Sequence, residues 1–238
     1  MNDPRRPGGG TGPIAVVTAT VATVALWYLL RPAGFSEDRY VAEVAGVLAV
    51  ELLAVALVLA LRLPLIERTF GGFERVYAWH RWVASVGVLL VIPHEVLIEG
   101  AALWTPDPAS PDFALRTGFG NNLGIVAIAG LAFLGLVAFL PQTPIVRNAV
   151  RFTHARWLAV HRFIGLFVAA AVVHGLLVDP VIRASAPLWW IYFAIGAVGV
   201  GAYVVREVDN LRLSRRGSPS PDDTPGSAVA DETTETSP

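Results

Sequence analysis

The sequence contains no cysteine, and this absence excludes three kinds of site. Disulfides, cysteine-ligated iron-sulfur clusters and covalent c-type haem attachment all require cysteine thiols. Methionine is almost absent as well, because Met1 is the only one, which excludes a Met/His axial pair on a haem iron. Lysine is missing too, so all 18 basic residues are arginine. Histidine is left as the one strong nitrogen or sulfur ligand for a transition metal.

Charged residues are scarce along the whole chain. They make up 16% of the 238 residues, whereas hydrophobic residues make up 54%, and the mean hydropathy is +0.57. This is too few charges to solvate the surface of a soluble protein of this length. The apolar surface must therefore face lipid. We therefore expect the lipid bilayer, and no nucleic acid, as a partner.

Six apolar stretches, each near the roughly 20 residues that a helix needs to cross a bilayer, predict six transmembrane helices. Breaks rich in proline, glycine and arginine separate them. The expected fold class is an all-α membrane protein with a six-transmembrane-helix bundle. No small-residue cleavage pattern precedes Arg31, which favours a retained anchor over a removed signal peptide that would leave five spans. The stretches run over Pro13–Leu30, Val41–Leu61, Val76–Ile98, Leu123–Leu140, Trp157–Val178 and Leu188–Val205.

The arginines predict how the chain is oriented. With a cytoplasmic N-terminus and six spans, only Arg31, Arg39, Arg116 and Arg183 of the 18 arginines lie outside. This asymmetry is the positive-inside pattern, so we predict that both termini are cytoplasmic in a bacterial plasma membrane.

Both ends of the chain differ in composition from the apolar centre. Residues 1–12 are expected to form a flexible cytoplasmic leader, residues 13–206 the membrane domain and residues 207–238 an acidic cytoplasmic tail. Gly217–Pro238 has five acidic residues and no basic one, and is rich in serine, threonine and proline. Such a segment buries too little apolar surface to fold, so we predict that the tail is disordered.

Four of the five histidines form two pairs of similar spacing inside apolar stretches. His80 and His94 are about 21 Å apart along a helix, and His161 and His174 about 19.5 Å. The third and fifth spans run in the same direction, so His80 can meet His161 at one depth and His94 can meet His174 at another. A neutral imidazole in hydrocarbon is costly unless its nitrogen is occupied, and haem iron accepts a ligand on each face. Two helices with two ligands each predict two stacked haems.

The rotational positions of the two pairs differ. On an ideal helix His94 returns to within about 40° of the face of His80, whereas His174 lies about 140° from His161. We therefore expect a local distortion of the fifth span, or a rotation of one haem relative to the other, and Gly165 is compatible with the distortion. Hydrogen bonds between helices, without haem, are the alternative explanation of these histidines.

Other side chains near the histidines allow two interpretations each. Arg81 and Arg162, each directly after a histidine, either neutralise haem propionates at the cytoplasmic face or anchor the helices by the positive-inside effect. Phe167, midway between His161 and His174, either fills the gap between porphyrins or packs in the core.

Several other polar residues are open to interpretation. Glu51, in the middle of the second stretch, either hydrogen-bonds a haem ligand, relays protons or joins two helices. Glu95 and Glu99 either help to dock an acceptor or solvate the surface. His154 is not expected to be a ligand, and the outer loop 100–122 is long enough to form part of an acceptor site.

The chain resembles the ferric reductase-like transmembrane domain of ferric reductases and NADPH oxidases. Three features carry the resemblance: the six apolar stretches, the His-Arg pair near the start of the third and fifth stretches, and the two histidine spacings. The resemblance covers roughly Pro13 to Arg206. It implies transmembrane electron transfer through two b-type haems, the inner held by His80 and His161 and the outer by His94 and His174. The chain is also similar to the haem-binding membrane subunit of the periplasmic methionine sulfoxide reductase system. The pattern of that subunit lacks the first histidine, so the presence of His80 favours the two-haem relatives.

The chain departs from the full-length reductases after the sixth span. There a flavin- and nicotinamide-binding module follows, whereas here only 32 residues follow Arg206, too few for a nucleotide-binding βα unit. We therefore expect no FAD or NAD(P) site in this chain, and a separate donor: a flavoprotein, free reduced flavin or a quinol. The expected acceptor lies outside the membrane and is a ferric chelate, oxygen or an exported reductase. A haem-free transporter or scaffold is the rival hypothesis.

Overall fold

The computed structural model describes residues 10–34, 37–102, 118–139 and 154–216, and the regular structure in these ranges is entirely helical. The prediction of an all-α protein is therefore confirmed for the described part of the chain. The helices are α1 (Thr11–Leu30), α2 (Glu37–Leu59), α3 (Pro64–Phe70), α4 (Phe73–Ala102), α5 (Phe119–Phe139), α6 (His154–His161), α7 (Ile164–Val178), α8 (Pro180–Ala184) and α9 (Ala186–Arg216).

Six segments of the described residues are long and apolar enough to cross a membrane, which confirms the predicted number of spans. The ends of each segment lie within a few residues of a predicted stretch, except for the C-terminal end of the sixth segment. The fifth segment consists of α6 and α7. The segments are Thr11–Leu30, Arg39–Leu59, Phe73–Ile98, Phe119–Ala138, Arg156–Val178 and Ala186–Leu213.

The end of the last span differs from the expected boundary at residue 206. Helix α9 continues through residues 207–216, where the predicted acidic tail was expected to begin. Two ion pairs accompany this extension: Glu207 pairs with Arg162, and Asp209 lies 3.6 Å from Arg212 one turn along the helix. The leader 1–9, most of the outer loop (103–117), the side chains of Glu99 and His154, and the tail 217–238 lie outside the described residues.

Helix α2 is the centre of the bundle. Two-thirds of its span (67%) is buried, whereas the other spans bury only 11–28%. It packs most extensively on α4 and also on α9, while α5 packs on α7. The outer helices expose large apolar side chains such as Ile14, Leu89 and Ile125, which is typical of helices that face lipid.

Small residues allow close approach where α9 crosses its neighbours. A Cβ added at Gly199 would lie 2.6 Å from the Cβ of Ala54 on α2, so these helices are in contact at the backbone level. A Cβ added at Gly196 would clash with a methyl group of Val172 on α7. Such small-residue contacts stabilise membrane bundles, since lipid provides no hydrophobic force between helices. They fix α2, α7 and α9 relative to one another and so position the histidines on α4, α6 and α7.

Candidate functional site

The bundle brings the four predicted histidines together as two pairs. The ring centres of His80 on α4 and His161 at the end of α6 are 6.4 Å apart, with the ring planes at 79°. His94 on α4 and His174 on α7 line one cavity between α2, α4, α5 and α7. We refer to His80 and His161 as the first level and to His94 and His174 as the second level.

The expected distortion of the fifth span is present directly after His161. Residues Arg162 and Phe163 form a turn between α6 and α7. The amide of Phe163 donates to the carbonyl of Val160 at 3.2 Å, an i to i−3 bond of the 3₁₀ type. A 3₁₀ turn has fewer residues per turn than an α-helix, so it changes the rotation of α7 relative to α6. This break lies between His161 and His174, so it changes the rotation of one histidine relative to the other.

Three of the four imidazoles are fixed by a backbone carbonyl of a neighbouring helix. The Nδ1 atoms of His80, His94 and His174 lie 2.8–2.9 Å from carbonyl oxygens. A carbonyl only accepts, so Nδ1 carries the hydrogen and Nε2 is left unprotonated, with a lone pair for a metal. The accepting carbonyls are those of Ala56 and Ala42 on α2, for His80 and His94, and of Gly120 on α5, for His174.

A glycine lies beneath each second-level ring. A Cβ at Gly46 of α2 would lie 2.6 Å from Nδ1 of His94, and one at Gly124 of α5 would lie 2.6 Å from Cε1 of His174. Each glycine follows the accepting carbonyl by one helical turn, so the ring lies over the glycine and reaches the carbonyl beside it. Sequence reasoning missed these two residues, although glycine inside a membrane span is a signal of close approach.

His161 is held differently from the other three. Its Nδ1 is buried and has no hydrogen-bond partner among the described residues. The Trp157 ring stacks on it instead, with ring centres 4.7 Å apart and planes at 12°. A buried polar nitrogen without a partner costs about 1–3 kcal/mol, and without an accepting carbonyl the tautomer of His161 is not fixed as it is in the other three histidines.

The other predicted site residues lie at helix surfaces and interfaces. Arg162 is exposed and pairs with Glu207 of α9, and the guanidinium of Arg81 lies 5.9 Å from the ring centre of Tyr77. Phe167 packs against α5, where a Cβ added at Gly130 would clash with its ring.

The cavity at the second level has a polar end, and Glu95 is its only acidic residue that the sequence analysis identified as a candidate. Arg39 and Glu43 form an ion pair at 2.7 Å within the first turns of α2, and the Glu43 side chain is buried. Asp179 and Tyr192 line the same cavity, as does Glu95. An arginine four residues before a glutamate was a readable signal for this pair.

Glu51 does not join the histidines. It lines a second cavity, formed by α1, α2, α3 and α9, and neither of its carboxyl oxygens has a hydrogen-bond partner among the described residues. The imidazole Nδ1 atoms that are bonded use backbone carbonyls instead. The interpretation of Glu51 as the partner of a histidine is therefore wrong.

Together these features define a multi-pass helical membrane protein with two histidine pairs on its third and fifth spans. Residues 45–172 match the family described as the ferric reductase like transmembrane component, and the chain belongs to this family. The match covers more than half of the 238 residues and includes His80, His94 and His161, ending two residues before His174. No curated protein matches the chain.

The histidine pairs fit haem, the group that this family implies. In the described part of the chain no three His, Asp or Glu side chains form a metal-ion cluster. Haem iron needs no such cluster, because the porphyrin supplies four ligands and the protein adds only axial ones. A metal bound by both first-level rings at about 2 Å fits between ring centres that are 6.4 Å apart. The free Nε2 atoms of His80, His94 and His174 supply the donor chemistry.

Proposed function

We propose that this protein carries electrons across the membrane through two bis-histidine b-type haems. The observation that carries the proposal is the facing pair His80 and His161, with ring centres 6.4 Å apart, in a chain whose other two histidines share one cavity. Membership of the ferric reductase-like family supports transmembrane electron transfer. When bound, the haems would supply one-electron chemistry.

In this proposal the protein's own groups orient the ligands and exclude water. His80 and His161 hold the haem nearer the cytoplasm, and His94 and His174 hold the outer one. The carbonyls of Ala56, Ala42 and Gly120 keep the hydrogen on Nδ1 and make the ligands more basic. In the proposal Arg81 and Arg162 neutralise haem propionates at the cytoplasmic face, and Phe167 fills the gap between the porphyrins.

The same proposal includes an orientation and partners. The arginine asymmetry supports cytoplasmic termini in a bacterial plasma membrane, with the first level on the inner side. A separate donor, which is a flavoprotein, free reduced flavin or a quinol, delivers electrons inside. A ferric chelate, oxygen or an exported reductase accepts them outside.

One observation favours a second candidate, a one-haem subunit of an exported reductase. His161 is the only one of the four predicted ligands whose Nδ1 lacks a partner in the described structure. The first level is therefore less completely organised than the second. If only the second level binds haem, the chain would serve as the membrane subunit of a periplasmic reductase.

Haem stoichiometry on purified protein tests these alternatives. With two haems, His80→Ala and His94→Ala should each lose about half of the haem, while His154→Ala, which alters the fifth histidine, should lose none. With one outer haem, His80→Ala should keep nearly all of it. A reduced-minus-oxidised spectrum without Soret and alpha bands in the wild-type protein would refute both haem hypotheses and leave a haem-free transporter or scaffold.

A further inference from the structure

Glu51 is a buried acid that the proposed function does not use. Its side chain is 5% exposed, and neither oxygen has a hydrogen-bond partner in the described structure. Five residues separate it from Ala56, which places the two about 140° apart around α2. The carbonyl of Ala56 accepts from His80 of α4, whereas Glu51 lines a cavity with residues of α1 and α9.

The cavity in front of Glu51 is apolar and lies at the margin of the bundle. Ala15, Ala19 and Thr23 of α1 form one wall, and Ala54 of α2 and Ile195 of α9 form others. The opposite face of α1 exposes apolar side chains to the bilayer: Ile14, Val17 and Val21. Ala15 and Ala19 on the cavity side of α1 are exposed as well, so the cavity is open at its edge and a ligand can enter from the membrane.

The protein offers the Glu51 carboxyl little compensation of its own. Its polar neighbours are the hydroxyls of Thr20 and Thr23, but neither reaches the distance and angle of a hydrogen bond to the carboxyl in the described structure. Thr20 already donates to the carbonyl of Val16 at 3.0 Å. A carboxyl at this depth without a partner is costly, and acids inside membrane spans mark functional sites.

These properties restrict the chemistry of the ligand. It must be soluble in lipid, match apolar walls and present a hydroxyl or carbonyl to a carboxyl group. A divalent cation does not fit, because it needs six or more oxygen ligands and this cavity supplies few. A quinol hydroxyl donates to a carboxylate, and a quinone carbonyl accepts from a carboxylic acid, so Glu51 can bond both redox forms.

We propose that the cavity between α1, α2, α3 and α9 binds the headgroup of a membrane quinol, with Glu51 as the hydrogen-bond partner of its hydroxyl. The choice of a quinol among lipid-soluble hydroxyl compounds rests on the proposed function, because an electron-carrying chain needs a reduced donor. The binding itself requires no haem.

Equilibrium binding of decylubiquinol to the full chain in lipid nanodiscs tests the site. Glu51→Gln should weaken binding about tenfold, because the amide oxygen of glutamine accepts only a neutral hydrogen bond where a carboxylate accepts a charge-assisted one. Ala19→Leu fills the cavity and should weaken binding by tenfold or more. Ala25→Leu is the matched control, since Ala25 is an exposed residue of α1 outside the cavity lining, and its affinity should stay within twofold of wild type.

The outcomes separate this proposal from the electron-transfer proposal. Equal affinity in all variants, or equally strong competition by dodecanol or oleate, would overturn the quinol site. If Glu51→Gln does not fold, Ala19→Leu against Ala25→Leu decides the question alone. Haem is measured in the same samples: colourless protein that binds quinol in the expected pattern refutes the haem proposal only, and haem-containing protein with no difference between variants refutes the quinol site only.

Discussion

At the scale of single residues, the second-level histidines are positioned by backbone carbonyls and glycines and not by polar side chains. His94 and His174 each combine a carbonyl at 2.8 Å with a glycine beneath the ring. The same arrangement occurs on two different helices, α2 and α5. It fixes both the tautomer and the position of each ring, so the glycine is as necessary as the carbonyl.

Gly124→Ala should displace the His174 ring. The new Cβ would lie 2.6 Å from Cε1 of that ring, closer than any real contact, and the ring cannot yield without losing its bond to the Gly120 carbonyl. We expect about half of the haem to be lost, as the absorbance of purified protein would measure. Gly135→Ala on the same helix is the control, because its Cβ would meet only Val88 at 3.5 Å. Equal haem content in the two variants would contradict the role of Gly124.

At the scale of elements, the ends and breaks of helices position the ligands along the fifth span. The turn at Arg162 and Phe163 separates α6 from α7 and sets the rotation of His174. At the other end of α7, Asp179 begins the next helix: its carboxylate accepts from the amides of Val181 and Ile182 at 2.8 and 3.0 Å. The side chain of Asp179 therefore fixes where α7 ends and α8 begins, close to His174.

Asp179→Ala should destabilise this connection. Loss of an N-cap side chain costs about 1 kcal/mol, since two amides lose their acceptor. We expect a lower unfolding midpoint in thermal denaturation of the detergent-solubilised protein. Asp179→Asn keeps an oxygen acceptor and should behave like the wild type; a midpoint that falls equally in both variants would assign the effect to the charge of Asp179 rather than to capping.

At the scale of the whole molecule, burial is concentrated in α2 while the outer helices present apolar surface. Only α2 is mostly buried, and it contacts helices on opposite sides: α4 with its histidines, and α1 and α9 around Glu51. Two cavities thus lie on different faces of one central helix. This arrangement keeps the histidine levels and the proposed quinol site close together without sharing side chains.

Labelling of single introduced cysteines tests the predicted orientation. The native chain contains no cysteine, so it gives no background labelling. Glu74 and Ala184 are exposed at opposite ends of the bundle's spans. Ala184→Cys should react with a membrane-impermeant maleimide in intact cells, and Glu74→Cys only after permeabilisation, since the positive-inside pattern places Glu74 in the cytoplasm. The reverse labelling pattern would refute the orientation.

The sequence by itself determined the six spans and the depths of the four histidines, since hydropathy and rise per residue are properties of one helix at a time. It also indicated either a distortion of the fifth span or a rotation of one haem relative to the other, because a spacing of thirteen residues is incompatible with one face of an ideal helix.

Only the tertiary structure decided which groups meet. Three features depend on how each helix is rotated against its neighbours: the carbonyls that meet the histidines, the glycines beneath His94 and His174, and the separation of Glu51 from the four paired histidines. That rotation is set by contacts between residues far apart in the chain, such as Gly199 with Ala54, and in an all-apolar span the hydrophobic pattern does not specify it.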